Sequence, residues 1–181
     1  AYRAEVRAIR ALYYYYLMDM FGNIPLVTTA GESTENADQA SRPEVYRFIV
    51  KELQEVTPLL PTGHSNLLGK NYGRVTRSVA NFLLAKLMLN GEVYSDADWT
   101  DNQQPNGKQT YFTINGQQMN IWQACKYYCD ELTADGFTLA ADYLSNFSVN
   151  NENSPENIFT IPLDKHLYKS QFQYLFRSRH Y

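Results

Sequence analysis

Apolar residues recur at helical spacing in four stretches of the chain, and polar, glycine- or proline-bearing segments separate them. From Ala4 to Phe21 there are two such faces. Val6, Ile9, Tyr13, Tyr16 and Met20 step by three or four along one, and Ala4, Ala8, Ala11 and Tyr15 along the other. The alanine face lets a second backbone come close. Gly22 offers the left-handed conformation that ends a helix, and Pro25 forbids its continuation, so "IPLVT" leaves as an extended segment. The run Tyr13–Tyr16 sweeps most of the way round the axis, because successive residues lie about 100° apart. An ordinary amphipathic helix has no use for that, so this helix is expected to be enclosed by neighbours, with the tyrosines as scaffold.

After the polar stretch "TAGESTENADQ", "SRPE" places Ser41 as N-cap, Glu44 three residues on and Pro43 where a missing N–H is harmless. Val45, Phe48, Ile49, Leu53 and Val56 form the stripe of this second helix, which Pro58 or Pro61 ends. Thr76 caps a third, "RSVANFLLAKLMLNGEVY", read as continuous to residue 94. Val79, Phe82, Leu83, Leu84, Leu87 and Leu89 give it more apolar surface than a narrow stripe holds, so it is the most enclosed. Gly91 within it points to close packing, since glycine costs about 1 kcal/mol relative to alanine there. A fourth helix, 119–134, carries Trp122, Cys125, Cys129 and Leu132 on its predicted core stripe, and Gly136 stops it.

Between the helices, 95–118 and 135–181 are loop-rich. "TYFTING" suggests a small hairpin turning at Asn115-Gly116, and "NIFTIPLD" a short strand at Ile158–Ile161. The fold class predicted is therefore mainly all-α: tetratricopeptide-like antiparallel helix pairs with long irregular loops and a minor strand or hairpin. No strict 34-residue period supports a regular repeat.

The net charge of −3 leaves no basic field for a nucleic acid. No apolar run approaches the roughly 20 residues of a membrane span. Cys125 and Cys129 share a helix face, where two small buried thiols are expected; two ligands make no zinc site. His64, His166 and His180 fit no metal-ligand spacing, and neither a nucleophile elbow nor a glycine-rich phosphate loop occurs. Glu52, Glu55 and Glu131 lie on amphipathic helices, where a solvated face accounts for them. Asp96 and Asp98 open like an EF-hand, but Asp101 stands where glycine belongs and Gly107 where the bidentate glutamate belongs, so a solvated acidic loop is expected. No catalytic residue, metal or cofactor is assigned.

What remains is aromatic. The chain holds 15 tyrosines but only 2 tryptophans, an excess in the ring that tolerates a wet edge. Trp99 lies in a polar loop, where an indole either packs or binds. "DKHLYKSQFQYLFRSRHY" interleaves rings with Lys, Gln, Arg and His. That composition fits a carbohydrate platform and also a half-buried packing segment.

"AEVRAIRALYYYYLMDMFGNIPLVT", "SVANFLLAKLMLNGEVY" and "YYCDELTADGFTLAADYLSNFSVNNENSPENIFTIPLD" resemble, in that order, blocks of the SusD/RagB family of outer-membrane glycan-binding lipoproteins of Bacteroidota. The resemblance implies one SusD-like helical domain, of which residues 1–181 are a fragment. It also implies no enzymatic activity, a carbohydrate ligand and a SusC-like TonB-dependent transporter as partner. Location is implied at the cell surface, with a lipid anchor, absent from this stretch, as the contact with the outer membrane. Tyr168 and Tyr174 fall in a variable stretch where family members place ligand-contacting rings; with Trp99, chosen for its setting, they are the predicted glycan contacts. A tetratricopeptide-type module for binding peptides is the alternative, distinguished by a concave groove of polar clamps.

Overall fold

The computed structural model describes residues 2–29, 31, 37–148 and 151–161. In chain order these form α1 (Tyr2–Phe21), the short strands β1 (Ile24–Pro25) and β2 (Gln39–Ala40), and α2 (Arg42–Val56), which runs into a 3-10 turn at Thr57–Leu59. Then come α3 (Arg77–Leu89), α4 (Gly91–Ser95), the hairpin strands β3 (Tyr111–Ile114) and β4 (Gln117–Asn120), and α5 (Ile121–Ala134), with 3-10 turns at Tyr143–Phe147 and Asn151–Asn153. The architecture is helical, and the strands serve as clasps.

The helices associate as antiparallel pairs, α1 with α2 and α3 with α5. Direction in the first pair follows from its ends. β1 pairs with β2 beside the C-terminus of α1 and the N-terminus of α2, while Arg7 near the start of α1 reaches Glu52 and Glu55 near the end of α2. In the second pair Ser78 bonds Asp135, and at the other end Gly91 meets Ile121. One continuous core joins both pairs, centred on Val45, Ile49, Leu53, Leu84, Leu87 and Ile121.

Termini follow the sequence signals. The Glu44 carboxylate accepts from both the N–H (2.7 Å) and the hydroxyl (2.6 Å) of Ser41, and these bonds hold its pKa below the usual carboxylate range. Asn120 and Gln123 exchange reciprocal bonds at the start of α5. Gly22 (φ +72°) and Gly136 (φ +92°) close α1 and α5; at the latter, Phe137 N–H reaches Leu132 O and Gly136 N–H reaches Thr133 O, satisfying the orphan carbonyls of the last turn.

Several expectations are corrected. On α1 the buried face is Ala4, Ala8, Ala11, Tyr15 and Met18, whereas Val6, Ile9, Tyr13, Tyr16 and Met20 point outward. The small face wins because only alanine lets α2 come close. The tyrosine run is thus not uniformly enclosed. Tyr13 is 66% exposed; Tyr15 is buried, edge-on to Tyr94; Tyr14 is half-buried, its hydroxyl donating to Val27 O (2.7 Å) and accepting from Val27 N–H (3.1 Å). Tyr14 therefore fixes the exit of the chain from the helix.

The helix read as 76–94 breaks at Asn90, and α4 starts afresh at Gly91; within it Phe82 and Leu89 are exposed. The close packing expected of Gly91 is present, since a Cβ there would lie 2.6 Å from Ile121 Cδ1 and 2.8 Å from Tyr46 Oη. The helix read as 119–134 begins at Ile121, because residues 117–120 pair in the hairpin. Its buried stripe is Ile121, Ala124, Tyr128 and Leu132, one step round from the predicted one. Trp122 and Cys129 are consequently exposed and Cys125 half-buried, so the cysteines are not two buried thiols. Residues 158–161 form no strand; Ile158 and Phe159 pack as irregular chain against the core.

Candidate functional site

The long loop between α4 and the hairpin carries Trp99, and local hydrogen bonds shape it. Asp96 accepts from Asp98 N–H (2.9 Å), and Asp98 from both the N–H (3.0 Å) and the hydroxyl (2.6 Å) of Thr100. Asp101 in turn accepts from Gln103 N–H (2.7 Å). Each carboxylate folds the chain back on itself, which is the Asx-turn chemistry of aspartate. The Thr100 bonds hold the Asp98 pKa below its ordinary value. These acids are spent on turns, and no cluster of three or more His, Cys, Asp or Glu suited to a metal occurs among the described residues.

The far end of the loop is anchored at Gly107, whose N–H donates to Glu92 (2.7 Å). The indole of Trp122 lies over this glycine, so that a Cβ there would meet Nε1 at 2.8 Å. Trp122 is therefore a loop anchor rather than core. Between the turns and the anchor, Trp99 stands 79% exposed. An indole held at the surface on a turn-stiffened loop can stack on an apolar face at little ordering cost. Tyr168 and Tyr174 lie outside the described residues, so of the three predicted contacts only Trp99 is placed.

Beyond Trp99, the segment after α5 carries an exposed pair, Tyr143 and Phe147, edge to face at 5.2 Å between ring centroids. Their i, i+4 spacing in "YLSNF" is the one signal of the pair in the sequence. The pair borders a broad, mainly apolar groove of about 980 Å³ between α1, α3, α5 and the segments 137–147 and 156–159, with Leu12, Phe82 and Leu89 among its walls. Trp99 is not part of it. At the edge of the groove, residues 151–156 ("NENSPE") are held by hydrogen bonds. Asn66 donates to Ser154 O (2.7 Å) and Glu152 O (3.1 Å), and Glu156 accepts from Ala140 N–H (3.1 Å) and the Asn146 amide (2.8 Å).

Of the glutamates expected on solvated faces, Glu52 proves otherwise, whereas Glu55 is exposed as expected. Glu52 is buried and accepts from Arg7 Nη2 (2.5 Å) and from Arg10, while Arg7 also reaches Glu55 (2.5 Å). Burial pushes the Glu52 pKa up, but the two arginines together outweigh it and hold the carboxyl below its ordinary value. Glu5, also buried, pairs with Arg74. Both sets brace helices. Neither presents a pair of free carboxylates across a cleft, the arrangement glycoside hydrolysis uses.

A scaffold of tetratricopeptide-like helix pairs with an aromatic-bearing loop on its surface defines the class. Residues 1–89 match the SusD-like family model described as "Starch-binding associating with outer membrane". The starch-binding protein SusD of Bacteroides thetaiotaomicron is 31% identical over 93 residues, covering 51% of this chain and 16% of that protein. A laminarin-binding SusD-like protein of known structure is 26% identical, with a TM-score of 0.61 over 86% of this chain and 29% of its own. Two further solved structures share the fold. One is a SusD-like protein of Bacteroides fragilis (21% identity, TM-score 0.63, 93% of this chain and 27% of that one). The other is surface glycan-binding protein A of Bacteroides uniformis (22%, 0.62, 87% and 30%). Residues 1–89 thus match the SusD-like family, and the fold of the chain is that of SusD-like proteins. The chain spans less than a third of the length of each of these relatives.

Proposed function

We propose that this chain is the helical scaffold, with part of the ligand surface, of a protein that captures oligosaccharide or polysaccharide at the cell surface. The protein passes the glycan uncleaved to a SusC-like TonB-dependent transporter in the outer membrane, to which a lipid anchor holds it. The observation that carries the reading is the match of residues 1–89 to a family described as starch-binding. The exposure of Trp99 supports it physically. Indole faces suit the C–H face of a sugar ring, and a ring already standing in water has no packing to lose on contact. Trp99, Tyr168 and Tyr174 are the glycan contacts in this reading.

The test is retention against release. In gels containing candidate polysaccharides, the protein is expected to be retarded by at least one while producing no new reducing ends on prolonged incubation. Migration unaffected by every polysaccharide, or release of sugar ends, contradicts the proposal.

A further inference from the structure

A second concavity, of about 320 Å³, lies where the end of α2, α3, the hairpin turn and α5 meet, away from Trp99 and the broad groove. Polar side chains, Gln54, Arg77, Asn81, Asn115, Tyr127 and Glu131, line it alongside apolar ones. Asn81 is 3% exposed, yet its Nδ2 has no hydrogen-bond partner among the described residues, and the buried Nε of Arg77 has none either. Leaving a buried donor unpaired is costly, so such groups call for an explanation. Elsewhere the same walls are ordered. Asn115 donates to the Tyr127 hydroxyl (2.8 Å), and the Gln54 amide donates to Thr113 O (3.2 Å) and the Tyr128 hydroxyl (3.3 Å). A built frame thus surrounds two unspent donors, with the Glu131 carboxylate as a nearby acceptor.

We infer that this pocket binds a single neutral, hydroxyl-rich ring, a monosaccharide-sized unit. Each hydroxyl both donates and accepts, so one ring can satisfy amide and guanidinium donors and a carboxylate acceptor together. Glu131 disfavours an anion and Arg77 a cation. The volume falls at the small end of ligand pockets, room for one ring and not for a chain. Tyr127 offers an aromatic wall to its C–H face. The choice of ligand class rests on the glycan reading above; the site itself does not involve Trp99.

The test is titration of the isotope-labelled full chain with methyl α-glucoside and methyl α-mannoside, following the side-chain amide signals of Gln54, Asn81 and Asn115. At least one sugar is expected to shift them saturably. Asn81→Ala and Glu131→Gln should each weaken the response of the Gln54 and Asn115 amides at least tenfold. Should Asn81→Ala fail to fold, the half-buried Glu131→Gln carries the test alone. Signals that stay fixed into the tens of millimolar, or shifts indifferent to Glu131→Gln, overturn the inference and leave ordered water only in the pocket. Retardation by polysaccharide alongside fixed amide signals sinks this site and spares the glycan reading; loss of both sinks both.

Discussion

Gly91 sits where three elements converge, and its missing side chain lets α4, α5 and Tyr46 meet. Alanine would favour the helix by up to about 1 kcal/mol. It would also drive a Cβ to 2.6 Å from Ile121 and 2.8 Å from the Tyr46 hydroxyl, both among the most buried side chains. Overpacking of that kind costs about 1–3 kcal/mol, so Gly91→Ala is expected to destabilise, read as a lower urea midpoint at unchanged slope. Glu52 makes a second prediction. A carboxyl held below its ordinary pKa contributes stability above about pH 4.3 and loses it as pH falls through the lowered value. Glu52→Gln should therefore cost about 1–3 kcal/mol at pH 7. Below pH 4 the difference from the parent should shrink, as urea melts across pH would record.

Among the elements, the hairpin is the clearest case of local chemistry setting geometry. Asn115 (φ +50°) and Gly116 (φ +78°) form the tight turn between β3 and β4, with Ile114 opposite Gln117. A Cβ on Gly116 meets nothing within 4 Å, so Gly116→Val would be penalised by backbone strain alone, about 1–2 kcal/mol. Thermal unfolding should register that loss without disruption of the α3–α5 pair. This turn was legible because two adjacent residues dictate it, as was the capping pair at Ser41–Glu44. Helix facing was less legible. α1 offers two stripes of equal periodicity, and only the closeness of α2 selects the alanine one. In α5 the buried stripe is set by Ile121 docking on Gly91, a contact between residues 30 positions apart in sequence. The pairing of Glu52 with Arg7 and Arg10 was hidden for the same reason, since charge signs give no partner across the fold. The exposure of Trp99 agrees with its setting, an indole in a run of turn-forming aspartates; its contact with glycan is the proposal made above.

At the scale of the molecule, rigid helix pairs carry the loops, and one of those loops carries Trp99. The ionic braces and the shared core hold the frame; Asx turns and the Gly107 anchor hold the Trp99 loop upon it. That division of labour predicts that substitutions on the loop change glycan affinity without changing stability. It is tested most directly by calorimetric titration of the parent and of Trp99→Ala, Tyr168→Ala and Tyr174→Ala with a polysaccharide that retards the parent, alongside their melting temperatures. The account predicts that Trp99→Ala weakens binding about tenfold or more, equivalent to about 1.4 kcal/mol, with the melting temperature unchanged. Equal affinity for the parent and all three variants would contradict it.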